Sequence, residues 1–225
     1  MDRTEVSALF LEHFGSKPEL VVRAPGRVNL IGEHTDYNDG IVFPAAIDRY
    51  IWLAVRRNEQ TQLFSNELGP GQSFDSTSVQ PGVSGWSSYA AGVALAIGGA
   101  SNIQGYVWSD IPVGAGVSSS AALELAFGVA WNHLDDLGFT PPQLARFGQQ
   151  CENEYVGVNC GLMDQMASAC GRVGHAMLYD VRANTVHYAP IPPDIQIVLC
   201  DTTKSRELAA SKYNERRAEC EEACR

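Results

Sequence analysis

Apolar and polar positions alternate along the chain in a way that predicts both helices and strands. Apolar residues at helical spacing before Gly15 predict an amphipathic opening helix, which buries Val6, Leu9, Phe10 and Phe14. The segment 47–57 is apolar on both faces and rich in β-formers, which predicts a central strand. The same criteria predict further strands at 20–24, 41–46, 63–64, 72–74, 104–111, 175–180, 185–189 and 195–200, with 63–64 and 72–74 at sheet edges. They predict further helices at 86–97, 119–134, from Thr140 to about 158, at 162–170 and at 204–225.

Composition and charge narrow the classes of partner. The 225 residues carry a net charge of −10, which argues against nucleic acid and anionic membranes as partners. The start of the chain lacks a secretory apolar region, and no apolar run is long enough to span a bilayer. The six cysteines contain no C-x-x-C spacing, so a zinc site is disfavoured. We expect reduced cysteines in a cytoplasmic protein.

The most unusual stretch is 23–50, which crowds ionisable residues between two predicted strands. Gly and Pro interrupt it, so we expect a loop that forms a polar pocket wall. A solvated surface loop is the plain alternative. A metal site at Glu33, His34 and Asp36 is a weaker one, because adjacent side chains splay apart unless the loop kinks. The ionisable residues are Arg27, Glu33, His34, Asp36 and Asp39.

A second motif, PVGAGVSSSAA at 112–122, joins a predicted strand to a predicted helix. Its glycines allow close backbone approach, and a helix N-terminus with free N–H groups favours an anion such as phosphate. An ordinary serine-capped helix is the alternative. The chain has no Gly-Lys pair, which excludes a P-loop. The motif also lacks the third glycine of a dinucleotide site and the G-x-S-x-G elbow of a serine hydrolase.

Two acids further along could take part in chemistry. Glu152 lies on the helix that Thr140 starts, and Asp164 lies at the start of the next helix, where the helix dipole stabilises a carboxylate. A solvated helix face explains Glu152 equally well on periodicity alone, and an ordinary acid in the first turn explains Asp164.

Three stretches together resemble a known family. GRVNLIGEHTDYNDG at 26–40, PVGAGVSSSAA at 112–122 and ENEYVGVNCGLMDQ at 152–165 are similar to the galactokinase signatures of the GHMP small-molecule kinase superfamily. The resemblance implies an α+β fold, a mixed β-sheet with helices packed on one side. It further implies that galactose and ATP are the ligands, with Mg²⁺, and that galactose is phosphorylated at the C1 hydroxyl.

The resemblance also assigns roles to individual residues. Asp164 would face the anomeric hydroxyl as base or orienter, and Arg27 would pair with it. Sugar hydroxyls would bind Glu33, His34 and Asp36, helped by Gly161 and Tyr213. Mg²⁺ would bind Ser120 and Glu152, and Trp86 would lie near the adenine. The phosphates of ATP would lie on the loop formed by Pro112, Gly114, Gly116, Val117, Ser118, Ser119 and Ser120.

The chain departs from the family pattern in one respect. The family has a third, glycine-rich motif in its C-terminal domain, and the chain contains no counterpart in the corresponding place. We therefore expect an N-terminal galactose- and ATP-binding domain at 1–193 and the start of a largely missing C-terminal domain at 194–225. We also expect this chain alone to be weakly active or inactive. Three alternatives stay open: a kinase for another sugar such as N-acetylgalactosamine or arabinose, a non-catalytic galactose and ATP sensor, and a non-catalytic fragment. The oligomeric state is not predicted.

Overall fold

The computed structural model describes residues 1–112, 114–200 and 209–223, with side chains from Tyr213 onward in the last of these ranges. A short 3₁₀ turn covers Asp36–Asn38, and a π-helical segment covers Cys151–Val156. The α-helices are α1 (Arg3–Phe14), α2 (Ser87–Ala96), α3 (Ser119–Leu134), α4 (Pro141–Gln150), α5 (Met163–Cys170) and α6 (Ala209–Ala223). The strands are β1 (Leu20–Asn29), β2 (Ile41–Val42), β3 (Pro44–Arg57), β4 (Gln62–Ser65), β5 (Gly69–Pro70), β6 (Ile103–Ser109), β7 (His175–Asp180) and β8 (Thr185–Pro190).

The strands form two sheets. The larger has the order β1-β3-β6-β4-β5, and the smaller has the order β2-β7-β8. Strands β4 and β6 run parallel, whereas the other pairs are antiparallel, so the larger sheet is mixed as predicted. Strand β3 lies between β1 and β6, which confirms its central place.

The side chains of β3 alternate between two apolar layers. Leu53 and Val55 face the main core, where α2 and α3 contribute Val93 and Phe127. Helices α4 and α5 add further apolar side chains on this side of the larger sheet. Those of α5 form a second apolar cluster with β7. The α+β fold is confirmed, with one difference from the predicted one-sided arrangement: α1 lies on the opposite face. It is held there because Val6 and Phe10 are buried against Trp52, Ala54 and Tyr106.

Helix ends agree with the capping chemistry of the sequence. Helix α1 ends at Gly15, whose φ of 72° is the left-handed geometry that glycine favours. Thr140 and Gln143 form the expected reciprocal capping box at the start of α4. In the described ranges, no helix is both long enough and apolar enough to cross a bilayer.

Several predicted strands differ in the structure. Strand β1 continues beyond residue 24 through a bulge between Pro25 and Arg27, so Arg27 lies on a strand. Strand β4 is internal, because β5 pairs with its outer edge. At 72–74 only an isolated bridge between Phe74 and Thr61 forms.

The predicted strand at 195–200 is also wrong. These residues are exposed and pair with no strand in the described ranges, so their apolar pattern is not matched by burial. Helix α6 covers part of the predicted helix 204–225, and residues 204–208 and 224–225 lie outside the described residues. The domain division at 193 stays a prediction.

Candidate active site

The three motifs line one cavity of about 850 Å³. Strand β1 and the following loop form one wall, the glycine loop and α3 form another, and the π segment, α5 and α6 close it. Of the residues predicted from the sequence, those lining the cavity are Arg27, Glu33, His34, Asp36, Gly114, Gly116, Val117, Ser118, Ser119, Ser120, Glu152, Gly161, Asp164 and Tyr213.

An ion pair between Arg27 and Asp164 lies in this cavity. Arg27 Nε donates to Asp164 Oδ1 at 2.7 Å, and Nη2 donates to Oδ2 at 2.6 Å, which is the strong bidentate arrangement. The third nitrogen, Nη1, donates to the carbonyl of Gly116 at 2.8 Å. The arginine therefore ties the first turn of α5 to the glycine loop, although 137 residues separate it from Asp164.

The backbone of β1 supports this arrangement. Ser168 Oγ on α5 donates to the Pro25 carbonyl at 2.8 Å, at the bulge that precedes Arg27. A Cβ at Gly26 would lie 2.6 Å from the Val117 carbonyl oxygen, so only glycine allows β1 to approach the glycine loop this closely. The Arg27 amide then donates to that same carbonyl at 3.1 Å.

The glycine loop has the backbone of an anion site. Gly114 and Gly116 have φ values of 78° and 79°, so both require the freedom of glycine. Ser118 stands at the N-cap of α3, yet its side chain makes no capping hydrogen bond. The first amides of α3 therefore lack the side-chain cap that serines usually provide, and an anion can accept their hydrogen bonds.

The loop after β1 is an ordered wall of the cavity. Thr35 Oγ1 donates to the carbonyls of Gly32 and Ile41, at 2.7 and 2.9 Å, and so closes the loop on itself. His34 Nδ1 lies 2.7 Å from the Tyr37 hydroxyl, and its ring lies 5.8 Å from that of Tyr213. Asn29 Nδ2 donates to Glu33 Oε1 at 3.0 Å. The loop is therefore held by its own hydrogen bonds and lines the cavity, while Glu33 and His34 keep exposed side chains.

The metal alternative for this loop gains no support. Within the described ranges, no group of three or more His, Cys, Asp or Glu side chains could hold a metal ion together. The side chains of Glu33 and His34 instead bind Asn29 and Tyr37.

Asp36 lies against Gly161 in the floor of the cavity. A Cβ on Gly161 would be 2.1 Å from Asp36 Oδ2, so the position of Asp36 requires glycine at 161. Burial raises the pKa of Asp36 above its usual 3.8, and the negative charge of Asp164 raises it further. Tyr213 is also half-buried here, and burial followed by the charge of Asp36 raises the pKa of its phenol.

Glu152 is buried, with 8% of its surface exposed, so the solvated-face alternative is wrong. It lies on the π segment, where α4 departs from regular helix and then ends at Gly157, whose φ is 89°. Such segments are frequent at functional sites. The segment packs closely on α2, since a Cβ at Gly92 would lie 2.5 Å from Cys151 Sγ. Burial raises the pKa of Glu152, while hydrogen bonds that include one from Ser120 oppose that rise.

A second acid lies behind Glu152. Glu124, one turn along α3 from Ser120, is 1% exposed, and burial together with Glu152 raises its pKa well above the usual value. Gln165 Nε2 donates to its Oε2 at 3.0 Å. Ser120 and Glu152 line the cavity together, and a hydroxyl and a carboxylate there suit Mg²⁺, which proteins bind through one or two carboxylates together with substrate phosphates. Ser120 and Glu152 therefore fit the predicted metal.

Two predicted residues do not line the cavity. Trp86 packs beside the main core, and its Nε1 is buried without a hydrogen-bond partner among the described residues. Pro112 is exposed at the entrance to the glycine loop. The structure does not bring either side chain to the cavity, and both roles stay predictions.

The cavity also contains residues that the sequence patterns missed. Asn29 lies inside the first signature stretch and could have been found there. Cys160 likewise lies inside the third stretch, 152–165. Tyr89 and Arg216 lie on helices whose periodicity does not reveal a site, and Leu199 lies in an irregular segment.

Comparisons with known proteins find two family models and several relatives that match this chain. A galactokinase galactose-binding signature matches residues 8–57, and a GHMP kinases N terminal domain matches residues 87–172. A galactokinase of Roseiflexus sp. (strain RS-1) is 44% identical over 231 residues, which cover 100% of this chain and 59% of that protein. A galactokinase of Lacticaseibacillus paracasei is also 44% identical, with 99% and 60% covered.

A solved structure shows the same fold. The galactokinase of Lactococcus lactis, crystallised with galactose, superposes with a TM-score of 0.85 at 36% identity. The match covers 98% of this chain and 60% of that one. The chain thus spans about 60% of the length of these relatives. A mevalonate kinase of Methanococcus jannaschii, with a TM-score of 0.63 at 16% identity, shares the fold alone.

Proposed function

Since the chain belongs to the GHMP kinase superfamily, we propose that its natural gene product transfers the γ-phosphoryl group of ATP to galactose. The acceptor is the C1 hydroxyl, and the products are galactose 1-phosphate and ADP. The observation that carries this proposal is the bidentate Arg27–Asp164 pair beside the head of α3, facing the polar wall of Glu33, His34 and Asp36.

The cavity supplies what phosphoryl transfer needs. The reaction depends mainly on positioning and on positive potential around the transferred group. Here that potential comes from the N-terminus of α3, from Arg27 and from Arg216, since lysine is absent from the described lining of the cavity. Mg²⁺ held by Ser120 and Glu152 would neutralise charge on the phosphates.

The main role of Asp164 is to orient the acceptor hydroxyl, and its role as a general base is secondary. The guanidinium of Arg27 stabilises the negative charge on this carboxylate, so the carboxylate withdraws the proton late, as the oxygen bonds to phosphorus. The sugar is held by hydrogen bonds to Glu33, His34 and Asp36, and by Tyr213 from the side of α6. The neighbouring Gly161 backbone closes the same face.

We place the gene product in the cytoplasm. This proposal rests on the reduced state expected for the cysteines, which in the described part of the chain are the free thiols Cys151, Cys160, Cys170, Cys200 and Cys220.

A coupled ADP-release assay on the natural full-length gene product tests the proposal. Galactose, N-acetylgalactosamine and arabinose are compared at equal concentration with ATP and Mg²⁺. We expect galactose to have a kcat/KM at least about tenfold above the other two. A preference for another sugar would assign a different kinase. Galactose and ATP binding without ADP release would indicate a sensor and overturn the proposed activity.

A further inference from the structure

The hydroxyl of Ser118 donates a hydrogen bond to Asp164 and does not cap the helix that Ser118 begins. Its Oγ donates to Asp164 Oδ2 at 2.5 Å, across 46 residues of chain. A serine at a helix N-cap normally bonds the amides of the first turn, and Ser118 makes no such bond. The hydroxyl of this loop serine is therefore directed at the acid and away from the predicted phosphate site.

The backbone of Ser118 is unusual in a way that fits this contact. Its φ and ψ are 60° and 52°, in the left-handed region, whereas an N-cap residue is normally extended. Residues other than glycine seldom adopt this geometry, and such strain concentrates at functional sites.

Hydrogen bonds to Asp164 are distributed unequally between its two oxygens. Among the described residues, Oδ2 accepts from both Arg27 Nη2 and Ser118 Oγ, which occupies its two lone pairs. Within the part of the chain that the structure describes, Oδ1 accepts from Arg27 Nε alone and keeps one lone pair available.

From these contacts we infer that Ser118 is a positioning residue that fills Asp164 Oδ2 and leaves Oδ1 to receive the acceptor hydroxyl. The inference rests on the proposed function. As the C1 oxygen bonds to the γ-phosphorus, the bond from that phosphorus to the bridging oxygen of ADP breaks, and the hydroxyl proton moves to Oδ1. Ser118 thereby decides which oxygen of the carboxylate faces the sugar.

Kinetics of Ser118→Gly in the natural gene product test the role. Glycine removes the hydroxyl but accepts the left-handed backbone, so the variant should fold. We expect kcat to fall about tenfold while the KM values for galactose and ATP stay within about twofold, the pattern of lost orientation. The matched control is Asp136→Gly, another left-handed residue, exposed and outside the cavity, which should leave kcat unchanged.

Two kinetic outcomes would overturn the inference. One is an unchanged kcat in Ser118→Gly. The other is a raised KM for ATP with kcat unchanged, which would show that the Ser118 hydroxyl binds the phosphates of ATP.

A double-mutant cycle of Ser118→Gly and Asp164→Ala by thermal unfolding tests the contact without activity. We expect the loss of melting temperature in the double variant to be smaller than the sum of the two single losses. Additive losses would show that the hydroxyl does not bind the acid, and would overturn the inference. If the wild-type protein turns over none of the three sugars, the proposed function fails, and this cycle still decides the contact separately.

Discussion

Arg27 is the residue that joins the acid of α5 to the glycine loop. Its planar guanidinium contacts both oxygens of Asp164 and the carbonyl of Gly116 at once. A lysine ammonium at the same place carries the same charge but is a single point, so it cannot hold all three acceptors in this geometry. The shape of the arginine, in addition to its charge, therefore holds the acid against the glycine loop.

We predict that Arg27→Lys lowers kcat by roughly 10²-fold, because small misplacements of catalytic groups have effects of that size. The KM values should change less. Steady-state ADP release by the full-length protein measures this. Arg23→Lys is a matched control, since Arg23 lies over the rings of Tyr50 and Trp52, away from the cavity. Equal kcat values in the two variants would contradict the role of Arg27.

Asp36 predicts a link between pH and stability. Burial, with the charge of Asp164 second, raises its pKa in the folded protein above 3.8. A carboxyl with a raised pKa contributes stability that is complete below its unfolded pKa and is lost as pH rises through the folded pKa. Asp36→Asn should not lose stability in this way, because its amide does not ionise. Its free energy of unfolding should therefore improve relative to wild type as pH rises from 3.8 towards neutrality.

Denaturant unfolding at a series of pH values measures this difference. The exposed neighbour Asp39 provides the control, and Asp39→Asn should follow the wild-type curve. If the curves of Asp36→Asn and wild type run parallel over the whole range, the burial of Asp36 does not act as described.

Asp36→Asn should also weaken galactose binding, because a sugar hydroxyl loses an anionic acceptor.

At the level of elements, the regular features of the sequence predicted regular structure well. Helix α3, the capping box of α4 and the central β3 all follow from local residue chemistry. The π segment does not, because helical spacing continues from Leu144 to Tyr155 without a break. Its geometry accompanies close packing of Gly92 on Cys151, a contact between distant parts of the chain that periodicity does not record.

Helix α1 shows what tertiary packing added. Its apolar spacing predicted a buried stripe, but a stripe does not say which face of the sheet it covers. Phe10 is completely buried between α1 and the face of β3 that carries Trp52 and Ala54. This layer is separate from the main core on the other face of the sheet.

Phe10→Ala should lower the free energy of unfolding by about 3–5 kcal/mol, the usual range for removing a buried aromatic ring. Chemical denaturation measures it. Because α1 lies outside the cavity, kcat of the folded variant should stay near that of wild type. Leu11→Ala, on the exposed side of the same helix, should cost far less. A loss of only a few tenths of a kcal/mol in Phe10→Ala would place α1 outside the stable fold.

On the scale of the whole molecule, the site forms where three distant stretches of chain meet. The resemblance of 26–40, 112–122 and 152–165 to one family predicted most of the residues that meet, although Trp86 and Pro112 do not line the cavity. It did not predict that Ser118 bonds Asp164, that Glu124 stands behind Glu152, or that Gly161 makes room for Asp36. Those contacts depend on orientation after folding, which residue spacing alone does not determine.

The low activity expected for this chain alone stays a prediction. The relatives are longer than this chain. The apolar side chains of Ile195, Val198 and Leu199, which follow strand β8, are exposed, and Leu199 also lines the cavity.

The most direct test of the account compares Asp164→Asn with wild type in the natural full-length gene product. The measured quantities are kcat for galactose phosphorylation and the Kd for galactose by calorimetry. We predict that kcat falls by at least about 10²-fold, because the amide can neither form the ion pair with Arg27 nor take up the hydroxyl proton, while Kd changes only a few-fold. Turnover by Asp164→Asn at the wild-type rate would contradict the assignment of Asp164, and with it the claim that the Arg27–Asp164 pair is the centre of the reaction.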